Sequence, residues 1–281
     1  MTDGCDKHLH NLNTFYSDPG LLLARQSSPA VGTAAEDFAD WVLDLLGGYA
    51  GLDVLDAGAG VGRFTTRLTR LTDAPGAVVA LDLFSPMLEA ISSRVRPTSR
   101  LALVNGDIDH LPFRDSMFDL VFANHVLYHL RDIARSIDEL GRVLRPTGRF
   151  VATTNAHEAH VPVIKLHGEI ARRTGYGPET DTSPFSLENG AATLAAHFDH
   201  VETHVFTSAT RYASAQTLVD AYATTGRCRL IAEALGEAAV LDLATTVASR
   251  WFDSRPDGLW GEVRMAAFVC TTARTMSASH R

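Results

Sequence analysis

Val54-Leu55-Asp56-Ala57-Gly58-Ala59-Gly60-Val61-Gly62-Arg63-Phe64 reads as a short strand that runs into a glycine-rich turn and then into a helix. Glycines lack a Cβ and tolerate positive φ, so the backbone at 58–62 can turn tightly and come close to a ligand. Outward from this stretch, apolar runs alternate with helical patterns. Strands are predicted at Asp53 to Asp56, Val78 to Leu83, Leu101 to Asn105, Asp119 to Ala123 and Arg149 to Thr154. They are rich in Val, Leu, Ala and Phe, as in strands covered on both faces. Ile133, Ile137, Leu140 and Leu144 recur at steps of three and four, the spacing of one helix face, and Pro146-Thr147-Gly148 reads as the stop and turn behind it. Such alternation predicts a parallel sheet with crossover helices, an α/β fold.

The flanks are less regular. Residues 1–50 carry a helical stretch from Ala34 to Leu46 that ends at Gly47-Gly48, and read as an N-terminal helical cap over the 51–154 core. Residues 155–200 are dense in His, Gly and Pro and too long for a plain connection, so they read as an inserted lid bearing His160, His167, Tyr176 and Phe185. Within 201–281, strands are expected at Val201 to Thr207 and Arg264 to Thr271, with helices from Ser214 to Thr225 and Arg229 to Phe252 between them. With no repeat, low-complexity tract or linker, the chain reads as a single domain.

The chain has 281 residues, enough to bury a substantial core, and is 46% hydrophobic and 21% charged, the balance of a globular protein rather than a disordered one. Its formal net charge of −8 argues against nucleic acid or an anionic membrane as partner. Cys5, Cys228 and Cys270 show no CxxC spacing, which points away from a structural metal or a disulfide framework. The start of the chain lacks the apolar stretch of a secretion signal, and no apolar run is long enough to span a bilayer. A cytoplasmic location is the expectation.

Two ligands suit the glycine turn: a dinucleotide or S-adenosylmethionine. The dinucleotide fingerprint GxGxxG, counted from Gly58, requires glycine where Arg63 stands. Charge decides more firmly. A pyrophosphate is repelled by Asp56 at the strand end, whereas a sulfonium and an ammonium are favoured by it. Asp82, closing the second strand, can accept from two ribose hydroxyls of either ligand. Asp107 in Asn105-Gly106-Asp107-Ile108-Asp109-His110-Leu111-Pro112-Phe113 can accept from an adenine amino group while Ile108 packs the ring.

In order along the chain, DAGAGVGRF, ALDLF, NGDIDHLPF, FDLVFANHVLYHL and ELGRVLRPTGRFVATTN resemble the class I S-adenosylmethionine-dependent methyltransferases. The likeness is strong over 51–154. It extends more loosely to FYSDPGLLLAR and to PFSLENGAATLAAHFDHVE, which look like bacterial small-molecule methyltransferases of specialised metabolism. It implies a Rossmann-like, seven-stranded, mostly parallel sheet with the last strand antiparallel and helices on both faces. It also implies S-adenosylmethionine as cofactor, with contacts from Asp56, Gly58, Gly60, Asp82, Leu83, Asp107 and Ile108, the Asn124 backbone, and Arg25 as a carboxylate partner. Thr147 departs from the family, which usually has a second glycine there. Asn124-His125-Val126-Leu127 is not the Asn/Asp-Pro-Pro-aromatic pattern of base-modifying relatives.

The acceptor is expected to be a small organic molecule, methylated at C, N or O, on a chain that acts alone or as a homo-oligomer. A non-catalytic cofactor-binding subunit is the alternative. Sulfonium methyl transfer needs orientation above all, and a base only where the acceptor must lose a proton. The candidates for that base lie beyond strand ends or in the cap: His157, two residues after Asn155; His125, one after Asn124; and Tyr16. His129 reads as structural.

Overall fold

The strands are set by burial. Val54 and Leu55, Val78 to Leu81, Leu120 to Ala123 and Phe150 to Ala152 are sealed from solvent almost end to end, so each run is covered on both faces. In the computed structural model the described residues are 16, 18–26, 31–34, 36–71, 76–96, 100–157, 161–175, 183–253, 255 and 257–272, with the side chains of 25, 26, 31 and 32 outside that description. The strands are β1 (Val31–Gly32), β2 (Asp53–Ala57), β3 (Ala77–Asp82), β4 (Leu101–Asn105), β5 (Phe118–Asn124), β6 (Leu144–Asn155), β7 (His200–Tyr212) and β8 (Leu259–Thr271). The described residues group into two compact units, each assembled from separate pieces of chain.

The sheet unit comprises Phe38–Asn155, Ser183–Phe206 and Met265–Arg281. Its strand order is β7-β8-β6-β5-β2-β3-β4. β2 pairs in parallel with β3 and β5, β3 with β4, and β5 with β6; β8 runs antiparallel to β6. This is the expected seven-stranded Rossmann-like arrangement. The period of two along β3 places helices on both faces. Val79 and Leu81 share a core with Ile137 and Leu140 of helix Ile133–Val143, while Ala80 between them packs with Leu88 and Ile91 of helix Ser85–Arg94. Strand order reverses at β2, beside β5, and such a switch point opens a crevice at the carboxyl ends of the strands.

Local chemistry explains the boundaries. Asp132 caps helix Ile133–Val143 by accepting from the Arg135 amide at 3.1 Å. The helix passes straight into β6, so Pro146-Thr147-Gly148 does not form the separate turn expected of it. These residues bulge within the strand: Phe118 and Leu120, two positions apart on β5, face Leu144 and Arg149, five apart on β6. The bulge needs Gly148, since a Cβ there would stand 2.9 Å from the Asp119 carbonyl oxygen.

The helical unit comprises Met1–Asp37, Ala156–Thr182 and Thr207–Arg264. Helix Val161–Thr174, predicted as lid, buries Val163, Leu166, Ile170 and Ala171 against Leu218, Tyr222, Ile231, Val240 and Val247 of the later helices. His167 is buried too, with Nδ1 3.3 Å from the Tyr222 hydroxyl. Phe185, in the sheet unit, sits edge-on to Phe268 at 5.7 Å and is fully buried. Both are core rather than the lid residues that the sequence predicts; His160 and Tyr176 lie outside the described residues. The single helix predicted from Arg229 to Phe252 is two, Gly226–Leu235 and Glu237–Phe252, broken at Gly236 with φ of 85°. β1, which the sequence did not signal, pairs antiparallel with β7 through Val31 and Gly32. Helix Phe38–Leu46, assigned to the cap, belongs to the sheet unit.

Candidate functional site

Parallel register brings the ends of β2, β3, β4 and β5 to one edge. Ala57 pairs with Leu81 and Ala123, and Asp82 with Asn105. The glycine turn is fastened across that edge, because the amides of Gly58 and Ala59 both donate to the Leu81 carbonyl, at 2.8 and 3.0 Å. Gly58, Gly60 and Gly62 have φ of 72°, 54° and 78°, a left-handed sequence that L side chains resist. A Cβ on Gly58 would lie 2.6 Å from Val126 Cγ2, and one on Gly62 2.7 Å from Ile91 Cγ1. Glycine is therefore required here both by backbone conformation and by space.

Two carboxylates stand at this edge. Asp56 is 1% exposed; its Oδ2 accepts from the Thr65 amide at 3.1 Å and from the Thr65 hydroxyl at 2.6 Å. Its Oδ1 faces Nδ2 of Asn124 at 3.5 Å, and the Thr153 hydroxyl donates to Oδ1 of Asn124 at 3.2 Å. Burial raises the Asp56 pKa from 3.8 to about 6, the hydrogen bonds opposing and the negative Asp82 adding to the rise. Asp82 accepts from the Gly60 amide at 2.8 Å and from the Phe84 amide at 2.9 Å, and burial raises its pKa as well. Among the described residues, the groups hydrogen-bonded to these two carboxylates are all neutral. A carboxylate oxygen has two lone pairs, so Asp82 keeps acceptor capacity for a diol.

Beyond β4, Asp107 is exposed and caps the turn Ile108–His110 by accepting from the Asp109 amide at 3.0 Å. Ile108 is buried in the main core, whereas Leu83 is 42% exposed at the end of β3, an apolar side chain left open at the edge. Buried acids, a cradle too tight for a Cβ, a diol acceptor and an open apolar side chain suit a cationic, nucleoside-bearing ligand and disfavour a pyrophosphate. Among the described residues no cluster of three His, Cys, Asp or Glu side chains is placed to hold a metal. No helix among them is long and apolar enough to cross a membrane.

The structure brings Asp56, Gly58, Gly60, Asp82, Leu83, Asp107, Ile108, Asn124 and His125 together in the sheet unit. His125 follows β5 with φ of 51°, an uncommon conformation for a non-glycine residue, fixed by its amide donating to the Thr153 carbonyl at 3.0 Å. Its ring lies 5.5 Å from that of Phe38, which packs against Trp41 and Phe206. His157 is half-buried and, like Tyr16, falls in the helical unit. Arg25 lies in helix Pro19–Gln26 with its side chain outside the described residues. Sequence reading missed Thr65 and Thr153, the hydroxyls that hold Asp56 and Asn124. The only available signal was a threonine nine residues after Asp56, since the Thr153 contact crosses strands.

The chain matches the family described as a methyltransferase domain over residues 55–152. It is 33% identical to an uncharacterized methyltransferase of Mycobacterium bovis over 190 residues, covering 67% of this chain and 69% of that one. Over 115 residues it is 37% identical to a demethylmenaquinone methyltransferase of Lactiplantibacillus plantarum, 40% of this chain and 48% of the relative, so the match spans about half of that protein. A solved structure from Anabaena variabilis, described as a methyltransferase of an antibiotic biosynthesis pathway, shares the fold. Its TM-score is 0.60 at 14% identity, over 84% of this chain and 96% of that one.

Proposed function

The chain belongs to the class I S-adenosylmethionine-dependent methyltransferases, and we propose that it methylates a small organic acceptor at C, N or O, one belonging to specialised metabolism. The observation that carries this reading is the pair of buried carboxylates, Asp56 and Asp82, beside a glycine cradle at the switch point of the sheet. When bound, S-adenosylmethionine supplies an activated methyl group on a sulfonium. In our reading Asp82 holds the ribose hydroxyls, Leu83 and Ile108 flank the adenine, and Asp107 accepts from its amino group. Asp56, steadied by Thr65 and Asn124, sets a negative potential at the cationic end.

For the acceptor side we assign proton removal to His125 or His157. His125 has a conformation already fixed before any ligand arrives, and Phe38, Trp41 and Phe206 behind it would favour a partly apolar, ring-bearing acceptor. The likeness to a demethylmenaquinone methyltransferase makes quinols reasonable first acceptors to try, alongside aromatic, indolic, terpenoid and amino-sugar compounds. Incubation with methyl-labelled cofactor and a mass-shift screen of these acceptors tests the assignment. Tight cofactor binding without methylation of any acceptor would support a non-catalytic subunit instead.

Two variants sharpen the site. Asp82→Ala removes a charged acceptor, and calorimetry with S-adenosylhomocysteine should show binding weakened by about 1.5–3 kcal/mol. Unchanged affinity would take Asp82 out of the site. With the acceptor known, the histidine that removes the proton should, when changed to alanine, lower turnover by about 10²–10⁴ fold at unchanged cofactor affinity. If both alanine variants turn over at the parent rate, the acceptor needs no base from either.

A further inference from the structure

We propose that Glu139 and Arg142 are positioning residues for the adenine end of the cofactor, holding the segment after β4 in the form that presents Asp107. This rests on the reading of Asp107 as an adenine contact. The segment from Asp109 to Met117 has no strand partner along most of its length, and one face of helix Ile133–Val143 satisfies it instead. The Leu111 amide donates to Glu139 Oε2 at 3.1 Å. Arg142 donates from Nη2 to the Leu111 carbonyl at 3.2 Å, and from Nη1 to the Phe113 carbonyl at 2.9 Å and the Asp115 carboxylate at 2.7 Å. Its Nε and Nη2 also engage the two Glu139 oxygens, at 2.8 and 2.9 Å.

At the near end, the Ser136 hydroxyl donates to the Asp109 carboxylate, two residues from Asp107. At the far end, the amides of Ser116 and Met117 donate to the carbonyls of Arg142 and Val143, at 3.0 and 2.8 Å. Beneath these polar links, Ile108 and Leu111 share the core with Ile137 and Leu140. Arg142 beside Glu139 holds the Glu139 carboxyl below its ordinary range, so the pair stays ionised through neutral pH. Only a planar guanidinium can serve two carbonyls and two carboxylates at once; a lysine in its place keeps the charge and loses the fork.

The arrangement differs from general reinforcement of the fold in what it predicts for coupling. If the two side chains act through Asp107, then Arg142→Lys and Asp107→Ala remove parts of one interaction and their effects on ligand affinity do not add. The experiment is calorimetric titration of the full chain with S-adenosylhomocysteine, for wild type, Asp107→Ala, Arg142→Lys and the double variant, with circular dichroism confirming that each is folded at the titration temperature. We expect Arg142→Lys to weaken binding about tenfold, and Asp107→Ala to lose most of its effect in that background. Glu139→Gln, which keeps an amide oxygen for Arg142, serves as a milder second arm and should weaken binding less, in the same non-additive way. Full additivity, or unchanged affinity in Arg142→Lys and Glu139→Gln alongside a lowered melting temperature, would overturn the positioning role while leaving the Asp107 reading intact. No effect of Asp107→Ala in the wild-type chain would overturn both.

Discussion

Gly58→Ala is expected to destabilise the protein by about 2–5 kcal/mol and to remove most cofactor binding. Two costs combine. A non-glycine residue at φ of 72° pays about 1–2 kcal/mol in backbone strain. The new methyl group would then lie 2.6 Å from Val126 Cγ2 and 2.9 Å from Val126 Cβ, an overpacking worth about 1–3 kcal/mol. Rotating Val126 cannot clear the clash, because its Cβ, which no side-chain rotation moves, is itself 2.9 Å away, and branching there leaves few rotamers. Relief must come from moving the turn or the backbone after β5, and both carry cofactor candidates. Gly47→Ala supplies the control: φ is 52°, but nothing lies within 4 Å of the added Cβ, so only the strain should appear. Thermal melts and S-adenosylhomocysteine titrations of the two variants make the comparison. Equal losses in both would mean that the Val126 contact is without consequence.

For Asp56→Asn, stability and ligand affinity should move in opposite directions. The carboxyl is buried and its native pKa is about 6 against 3.8 in the absence of burial, so the folded chain holds this proton more tightly than the unfolded one. By linkage the native state then loses stability as pH rises from about 4 to about 6, on the order of 3 kcal/mol, and the loss persists above pH 6. Asparagine keeps an oxygen for Thr65 and removes the charge, so at pH 7 the variant should melt at the same temperature as the parent or higher. An Nδ2 facing Asn124 Nδ2 offsets part of that gain. Affinity for the cationic cofactor should fall by about 1.5–3 kcal/mol. In the parent, affinity should strengthen as pH rises through about 6 and then level off, and the asparagine variant should lack that rise. A parent whose affinity is flat between pH 5 and 8, or a variant that keeps the slope, would remove Asp56 as the source of the negative potential.

The free energy placed in an ionised, buried Asp56 explains the surrounding polar network. Thr65 and Asn124 add neutral hydrogen bonds that favour the charged form without cancelling the charge, and Thr153 holds the Asn124 amide in place. An arginine in their place would stabilise the fold more and leave less attraction for a cationic ligand. This is the trade of stability for function common at binding sites.

Local sequence determined the order of the strands along the chain, the glycine turn and the acidic residues at the strand ends. Each follows from side-chain volume, Cβ sterics or charge within a few residues, and those forces act before any distant contact forms. The helix from Ile133 and the helix start near Ser214 are legible for the same reason. Tertiary structure alone decided the rest. It folded Pro146-Thr147-Gly148 into a bulge of β6, because pairing with β5 stabilises the strand on both sides of it. It drew His167 and Phe185 into cores, since composition cannot say whether a mixed polar segment will find an apolar partner. It joined Thr153 to Asn124 and Arg142 to the 111–115 segment, contacts between residues 27 to 31 positions apart that exist only once neighbouring elements pack. Sequence spacing supplies such residues, and the sheet's register and the packing of helix Ile133–Val143 against it choose which of them meet.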